Sequence, residues 1–193
     1  MKNFVLSGSG SVSTSAAIIP GGGSTPDTPD PATHKADFDT FNNGTTGNNY
    51  GATYTTASGW ATTQCTILAG GTADTNFIST GASTLFPCLN GSAANQGILT
   101  SPLLTGGLKN LSFNYGFPFN ETKAGFTVQI IQDGQVVATD TVTADPATRH
   151  TAFEYSHDFN ISGQFTIRIV NNQLSASSKN NADRTAIWNL TWN

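Results

Sequence analysis

The stretch that decides the fold is residues 111–119, with the sequence LSFNYGFPF. Its apolar side chains alternate with small or polar ones, and they are Leu111, Phe113, Tyr115, Phe117 and Phe119. A period of two is expected of a β-strand that buries one face and exposes the other. Pro118 has no backbone N–H to donate to a ladder, so pairing is expected to end there or to lie on a sheet edge.

Segments after this stretch alternate in the same way and predict several short strands. Asp133-Gly134 lies between two of them and predicts a tight hairpin, because a type I′ turn needs positive φ at both central positions. The predicted strands are 126–130, 136–142, 153–159, 165–170 and 186–192. In the last of them, Trp188, Leu190 and Trp192 are expected on one face. No window has apolar residues at helical spacing, so we predict an all-β fold, a jelly-roll β-sandwich.

Composition points the same way and excludes several functional classes. The chain has 29 threonines, 20 glycines and 18 asparagines, which favour strands and turns. A net charge of −4 with only eight lysines and arginines leaves no basic surface for nucleic acid. No apolar run approaches the roughly 20 residues of a transmembrane helix. Two cysteines exclude a disulfide-dense scaffold.

The sequence divides into three parts. Residues 1–19 have an apolar stretch too short for a signal peptide and are interpreted as a tail or the end of a preceding module. Residues 20–33 are rich in proline and glycine and predict a linker. Residues 34–193 are expected to form one domain, and strand-like segments at both of its ends allow these ends to pair. A linker of this kind indicates a covalently attached upstream domain in a secreted or cell-surface protein, the alternative being a disordered tail.

Catalytic motifs are missing from the sequence, so we predict that the chain is not an enzyme. It lacks the serine-hydrolase, zinc-protease and phosphate-loop motifs. His157 falls on the aromatic face of the strand 153–159 and is interpreted as structural. Glu154, one of two glutamates, alternates away from that face, and no spacing singles out the paired carboxylates that a glycosidase needs.

Three aromatic residues are candidates for stacking on a sugar. Tyr50, Tyr54 and Trp60 lie in a stretch rich in glycine, asparagine and threonine that resembles loop and short strand. Aromatic faces flanked by amides and hydroxyls suit a glycan, because sugar C–H groups stack on the ring while the hydroxyls find polar partners. The alternative for each ring is a place in the core.

Acidic residues near the ends of the domain are candidate calcium ligands. Asp37 and Asp39 bracket Phe38 at the first strand, and Asp183 precedes the last. If these strands are neighbours, the three carboxylates with backbone carbonyls provide oxygen ligands for Ca²⁺. Alternatively they are ordinary strand-end and turn residues. Cys65 and Cys88 form either a disulfide or two free thiols.

Five segments in order give the domain a family resemblance. They are Asp37–Phe41 (DFDTF), Ser58–Trp60 (SGW), Gly97–Leu104 (GILTSPLL), Leu108–Tyr115 (LKNLSFNY) and Asp183–Trp192 (DRTAIWNLTW). This set resembles secreted bacterial jelly-roll domains of the choice-of-anchor and cleaved-adhesin type, which are similar to MAM and galactose-binding-like modules. Stretches ending in this way also resemble C-terminal modules on surface lipoproteins of gut anaerobes.

The resemblance implies a non-catalytic accessory module with calcium near the strand termini. This sequence departs from the pattern at Trp188-Asn189-Leu190, where the relatives have Trp-x-Asp-Asp, so one expected carboxylate is missing. The function predicted from the whole sequence is a carbohydrate-binding or surface-attachment module of a larger protein, with a glycan as partner. The alternative is a purely structural domain that supports a neighbouring hydrolase or nuclease domain and binds no sugar.

Overall fold

A computed structural model of the chain describes residues 32–42, 50–72, 75–78, 84–119, 121, 124–144, 150–174 and 183–193. These residues contain one short 3-10 helix, Phe38–Thr40, and thirteen strands. In chain order the strands are β1 (His34–Lys35), β2 (Ala61–Thr63), β3 (Cys65–Ala69), β4 (Leu85–Leu89), β5 (Gly91–Ser92), β6 (Asn95–Gln96), β7 (Ile98–Thr100), β8 (Leu108–Gly116), β9 (Ala124–Gln132), β10 (Gln135–Ala144), β11 (Ala152–Ile161), β12 (Thr166–Asn171) and β13 (Thr185–Trp192).

The strands form two main antiparallel sheets. Sheet A has the order β11–β8–β13–β4–β3, and β1 pairs with β13. Sheet B has the order β10–β9–β12–β7–β2, and β5 with β6 forms a separate small hairpin. The chain passes between sheets A and B after β1, β2, β4, β7, β8, β10, β11 and β12. The predicted all-β jelly-roll sandwich is confirmed.

The core lies between the sheets, and the alternating residues 111–119 form part of it. Strand β8 ends at Gly116, two residues before Pro118, as the missing N–H requires. The rings of Phe113 in sheet A and Phe126 in sheet B meet with centroids 5.2 Å apart. Fully buried side chains of sheet B complete this layer, namely Phe126, Val128, Ile130, Ile167 and Ile169.

The hairpin between β9 and β10 turns at the predicted dipeptide. Asp133 has φ 49° and Gly134 has φ 76°, the two positive values that a type I′ turn needs. Each strand is longer than the alternating run predicted for it, because the ladder continues to Ala144 opposite Ala124.

The two ends of the domain pair as expected, but the first strand is His34–Lys35, and the residues around Phe38, where the sequence placed that strand, form the 3-10 helix instead. His34 lies opposite Trp192, and Lys35 lies opposite Thr191. The pairing is antiparallel, so β1 lies beside the end of β13 and not beside its beginning.

The prediction that the tryptophans of β13 share one face is wrong. Trp188 lies opposite Asn114, whereas Trp192 lies opposite Leu111. Positions 111 and 114 differ by an odd number, so their side chains leave β8 on opposite faces. The cause is a β-bulge between Trp188 and Thr191, where the chain takes a positive φ at position 189.

The bulge lets one strand supply two hydrophobic clusters. Trp192 lies inside the sandwich, with its ring centroid 5.8 Å from that of Trp60. Trp188 lies on the outer side of sheet A, where its ring centroid is 6.0 Å from Phe77 and 6.1 Å from Phe86. Sheet A is therefore covered by aromatic side chains on part of its outer face as well.

The two cysteines are free thiols, both fully buried. Cys65 pairs with Leu89 while Thr66 pairs with Cys88, so the cysteines are offset by one residue on neighbouring strands. Their side chains leave sheet A on opposite faces, which is incompatible with a disulfide in this register. Burial raises the pKa of the Cys65 thiol to about 12.

The structure describes most of the predicted domain 34–193. The predicted tail (1–19) and all but two residues of the predicted linker (20–33) lie outside the described residues. Within the part of the chain that the structure describes, no helix has the length and apolar character needed to cross a membrane.

Candidate functional site

The three aromatic residues predicted to stack on a sugar are buried. The exposed fraction is 6% for Tyr50, 4% for Tyr54 and 1% for Trp60. An aromatic ring stacks on a sugar only through a face that is open to solvent. The structure therefore corrects this predicted binding site and places all three rings in the interior.

Trp60 belongs to an aromatic cluster at one end of the core. Its ring centroid is 5.6 Å from that of Phe38 in an edge-to-face arrangement. Gly59, with φ 97°, makes the turn before it, and the backbone N–H of Trp60 donates to Oγ1 of Thr56 at 3.1 Å. The Ser58-Gly59 turn thus directs the indole inward, and Trp60 connects the region after β1 to the last strand.

Tyr50 lies near an ion pair on the outer side of sheet A. Burial raises the pKa of its hydroxyl, as does the nearby Cys88, while the positive charge of Arg184 opposes this rise. Among the described residues the hydroxyl finds no hydrogen bond of ordinary geometry, although Arg184 is close to it. Tyr50 is therefore part of a buried cluster that includes a cation.

The ion pair in this cluster joins Arg184 and Glu121. Nε of Arg184 lies 3.0 Å from Oε1 of Glu121, and their side chains are 11% and 0% exposed. The guanidinium carbon is also 4.0 Å from the centroid of the Phe119 ring, and the Phe119 N–H donates to Oε2 of Glu121 at 2.8 Å. Burial raises the pKa of Glu121 even though Arg184 acts to lower it. Arg184 thus obtains its carboxylate partner from within the chain.

Asp37, the first of the predicted calcium ligands, is held by neighbouring groups. Its carboxylate accepts hydrogen bonds from the Ser58 N–H at 2.9 Å, the Thr40 hydroxyl at 2.8 Å and the Ser58 hydroxyl. Partial burial acts to raise the pKa of Asp37, but hydrogen bonds from Ser58, Thr56 and Thr40 outweigh this effect and lower it. Asp37 fixes the 56–58 turn against the 3-10 helix.

The structure does not bring Asp37, Asp39 and Asp183 together. Oδ1 of Asp39 accepts a hydrogen bond from the Leu85 N–H at 2.9 Å, at the start of β4. Asp183 precedes Thr185, which pairs with the other end of β4, about 13 Å away along the strand. The antiparallel placement of β1 at the far end of β13 explains this separation. Within the described ranges, no three His, Cys, Asp or Glu side chains form a metal-binding group.

The outer face of sheet B carries a set of neutral hydroxyl groups, which we call the threonine face. Residues that alternate with the buried Leu99, Val128, Ile167 and Ile169 point away from the core. On β7, β12, β9 and β10 one row places Thr100, Arg168, Gln129 and Thr139 side by side, whereas Ile98 and Val170 lie between Thr63 and Thr127 in the next row. The threonine face consists of Thr63, Thr100, Thr127, Gln129, Thr139, Thr141 and Arg168.

Arg168 lies at the centre of the threonine face, on the middle strand β12. Its neighbours across the strands are Thr100 on β7 and Gln129 on β9, and Thr139 on β10 lies beyond Gln129. With strands about 4.8 Å apart, this row spans about 14 Å from β7 to β10. No hydrogen bond or ion pair joins the Arg168 guanidinium to another described residue.

Gln129, beside Arg168, has an unused acceptor. Its Oε1 atom is buried and receives no hydrogen bond from the described residues. An acceptor with no exposed surface does not contact a ligand on the face, so this atom is an unpaired buried group and not part of a binding surface. The group without a partner at the middle of the threonine face that a ligand can address is therefore the Arg168 guanidinium.

The outer face of sheet A carries a larger set of hydrogen bonds between side chains than the threonine face, where the Thr127 hydroxyl lies 3.3 Å from that of Thr141 and accepts from the Asn172 amide. Beside the aromatic cluster of Trp188, and on the same outer side of sheet A, strands β11, β8 and β13 present a layer of polar side chains that we call the amide face. Hydrogen bonds within it join Asn110 to Ser156 (3.1 Å) and Asp158 (2.8 Å), Ser112 to Thr191 (2.9 Å), and Asn189 to Asn114 (3.0 Å). Glu154 and Asp158 add negative charge to this face.

His157 takes the structural position predicted for it, on the inward side of β11. Its Nδ1 lies 3.3 Å from Oδ2 of Asp140 on β10, and the Tyr155 hydroxyl donates to the same oxygen at 3.0 Å. Asp140 pairs with the buried Val128, so its carboxylate points into the gap between the two edge strands. This carboxylate is therefore turned away from the threonine face.

Sequence reasoning did not identify Arg168, although a signal was present. The residue lies between Ile167 and Ile169 in a strand that was predicted correctly, so alternation alone places its side chain outward. The identity of its neighbours depends on strand order, which no local pattern contains.

No protein-family model and no curated protein sequence matches the chain. Solved structures match it in fold. The K2 cleaved adhesin domain of Lys-gingipain aligns with a TM-score of 0.50 and 14% identity, over 84% of this chain and 99% of that domain. A family 61 carbohydrate-binding module, TmCBM61, solved with β-1,4-galactotriose, aligns with a TM-score of 0.45 and 10% identity, over 69% of this chain and 87% of that one.

A third match is to part of a much larger enzyme. It is a glycoside hydrolase family 43 arabinoxylan arabinofuranohydrolase from Bacillus subtilis, with a TM-score of 0.45 and 10% identity over 68% of this chain. The alignment covers 24% of the hydrolase, so this chain spans about a quarter of its length. At these identities the likeness concerns the fold, and the chain is a jelly-roll β-sandwich with the fold of the cleaved adhesin domain.

Proposed function

We propose that the chain is a non-catalytic carbohydrate-binding or surface-attachment module that binds a glycan through the threonine face. The observation that carries this proposal is the row Thr100–Arg168–Gln129–Thr139, in which a guanidinium without a partner among the described residues lies between two threonine-bearing strands. Each threonine hydroxyl can both donate and accept, as a sugar hydroxyl does. A row of polar side chains of this kind suits an extended saccharide bound weakly along its length.

The placement of the glutamates supports a non-catalytic role. Glu121 is committed to Arg184 in the buried ion pair, and Glu154 lies on the outer side of sheet A. Neither carboxylate lies on the threonine face, whereas glycoside hydrolysis needs two acidic groups flanking the bond that breaks.

The sequence outside the described residues suggests the wider context. We propose that residues 1–19 end a preceding module, that 20–33 are the linker to it, and that the whole protein is secreted or displayed on a cell surface, as on the surface lipoproteins that the sequence resembles. Calcium remains a prediction for this chain, and it is addressed by repeating the binding experiment with EDTA.

The test is a glycan-array screen on the full chain, followed by titration of any glycan that binds. Replacing Thr100 and Thr139 by Val keeps the shape of each side chain and removes its hydroxyl. We expect the double variant to bind about tenfold more weakly, since each lost hydrogen bond contributes about 0.5–1.5 kcal/mol. Thr191→Val on the amide face is the matched control and should bind normally. Equal binding by all three proteins would place the site elsewhere.

A purely structural role is the second candidate, and exposed apolar residues favour it. Leu103 is 63% exposed, while Val136 and Val137 at the start of β10 are 50% and 47% exposed. Such side chains can pack against a neighbouring domain. A folded chain that binds no glycan on the array would make this role the better account.

A further inference from the structure

We propose that the glycan bound by the threonine face carries a carboxylate, which pairs with Arg168. This inference rests on the proposed function and names the chemical class of its ligand. An acidic saccharide, such as one containing a uronic or sialic acid residue, would place its carboxylate over the guanidinium and its hydroxyls over the flanking threonines.

The first argument is that the Arg168 guanidinium has no partner among the described residues. The structure describes four of the eight lysine and arginine residues, and two of these four are arginines. Arg184 is already paired, whereas Arg168 has no described hydrogen-bond or ion-pair partner. Arg168 is also partly buried, with β7 and β9 on either side of its strand. A guanidinium presents parallel N–H groups that match the two oxygens of a carboxylate.

The second argument is the charge of the surroundings. The residues next to Arg168 along and across the strands are Thr100, Gln129, Thr166 and Val170, and none of them is charged. Asp140, the acidic residue closest to this region on β10, pairs with Val128 and points inward. A carboxylate arriving at the centre of this face therefore meets one positive charge and no neighbouring negative one.

The third argument is the contrast with the other sheet. The amide face carries Glu154 and Asp158, and the whole chain has a net charge of −4. A negatively charged saccharide is repelled by the amide face and attracted locally to Arg168. Charge complementarity thus selects both the face and the ligand class.

The experiment is an array that holds neutral glycans together with uronate-bearing and sialate-bearing ones, probed with the full chain. We expect acidic glycans to bind and their methyl esters, which keep the sugar and remove the charge, to bind about tenfold or more weakly. The ester comparison uses the unmodified protein, so it does not depend on whether a variant folds. Binding should also weaken as salt is added.

Two charge variants then assign the effect to Arg168. Arg168→Gln should weaken binding of the acidic glycan about 10-fold to 100-fold. Lys109→Gln removes the same charge from an exposed lysine on β8 of the other sheet and should change binding less than twofold. Equal losses of affinity in the two variants would show that only the net charge of the protein matters. That result would overturn the inference.

The remaining outcomes separate this inference from the function on which it rests. Binding to neutral glycans alone, unchanged in Arg168→Gln, would overturn the acidic ligand and leave the carbohydrate-binding function in place. Capture of polyglutamate as strongly as any acidic glycan would overturn it in favour of an acidic polypeptide ligand. A folded chain that binds nothing on the array would overturn the proposed function and this inference together.

Discussion

The two described arginines of this domain lie on opposite outer faces. They differ in whether the described chain supplies a carboxylate partner. Arg184 lies beside sheet A, stacked on Phe119 and paired with Glu121 at 3.0 Å. Arg168 lies at the centre of sheet B, among threonines and a glutamine, with no carboxylate from the described chain. A charge that the fold satisfies contributes to folding, whereas a charge that it leaves unsatisfied is available for binding.

The same contrast holds for the polar residues around each sheet. On the amide face the side chains of Asn110 and Asn189 donate to partners on neighbouring strands. On the threonine face the Gln129 carbonyl oxygen receives no hydrogen bond from the described residues. On sheet B the Thr127 and Thr141 hydroxyls also lie 3.3 Å apart, so the contrast rests on the central cation. We infer that sheet A satisfies its outer polar groups within the fold, and that sheet B leaves Arg168 available to a ligand.

The largest expected effect on stability comes from replacing Arg184. Arg184→Gln should lower the free energy of unfolding by about 3–5 kcal/mol at pH 7, because it leaves the buried Glu121 carboxylate without its partner. Urea denaturation measures this loss. The matched substitution Arg168→Gln should change the free energy of unfolding by less than about 0.5 kcal/mol. A similar loss in both variants would show that Arg168 also stabilises the fold. It would contradict the contrast drawn between the two arginines.

A smaller effect, on the pH dependence of the free energy of unfolding, follows from the raised pKa of Glu121. Its pKa in the folded chain lies above the ordinary value of 4.5, so between the two values the folded state holds more protons than the unfolded one. Stability from this group is then complete below about pH 4.5 and is lost as the pH rises through the folded pKa.

The variant Glu121→Gln isolates this dependence. Urea denaturation of both proteins between pH 3.5 and pH 7 should show the wild type losing stability relative to the variant as the pH rises, followed by a plateau. A wild type that instead gains relative stability with rising pH would mean that Arg184 lowers the pKa of Glu121 more than burial raises it.

The smallest effects compare the two neutral amides. Asn110→Ala removes donations to Ser156 and Asp158 and should cost about 1 kcal/mol of unfolding free energy. Gln129→Ala removes no hydrogen bond through its carbonyl oxygen and should change stability by less than about 0.5 kcal/mol. Chemical denaturation of the two variants under one set of conditions resolves this difference. A larger loss from Gln129→Ala would contradict the division of roles between the faces.

Much of the fold could be predicted from local pattern. The alternation at 111–119 and the Asp133-Gly134 turn each act over a few residues, and the structure confirms both. The bulge in β13 was not predicted, because Trp188, Leu190 and Trp192 have the spacing of an ordinary strand and only the pairing partner reveals the extra residue.

The candidate site was harder to predict because it depends on distant residues. Tyr50 and Trp60 lie in a sequence typical of loops, yet their rings are covered by elements far along the chain. Asp37 and Asp183 flank strands in sequence, but strand direction separates them. Arg168 was assigned to the right strand, and its lack of a partner follows only from which strands lie beside β12.

The position of β13 has a consequence for when the domain can fold during synthesis. This strand is the last one described, yet it lies inside sheet A, between β8 and β4, and it also carries β1. Until residue 192 has been synthesised, β8 and β4 have no strand between them and Trp60 lacks the indole of Trp192. We expect the sandwich to close only after this segment leaves the ribosome, so a truncation before β13 should yield an unfolded chain and not a smaller domain.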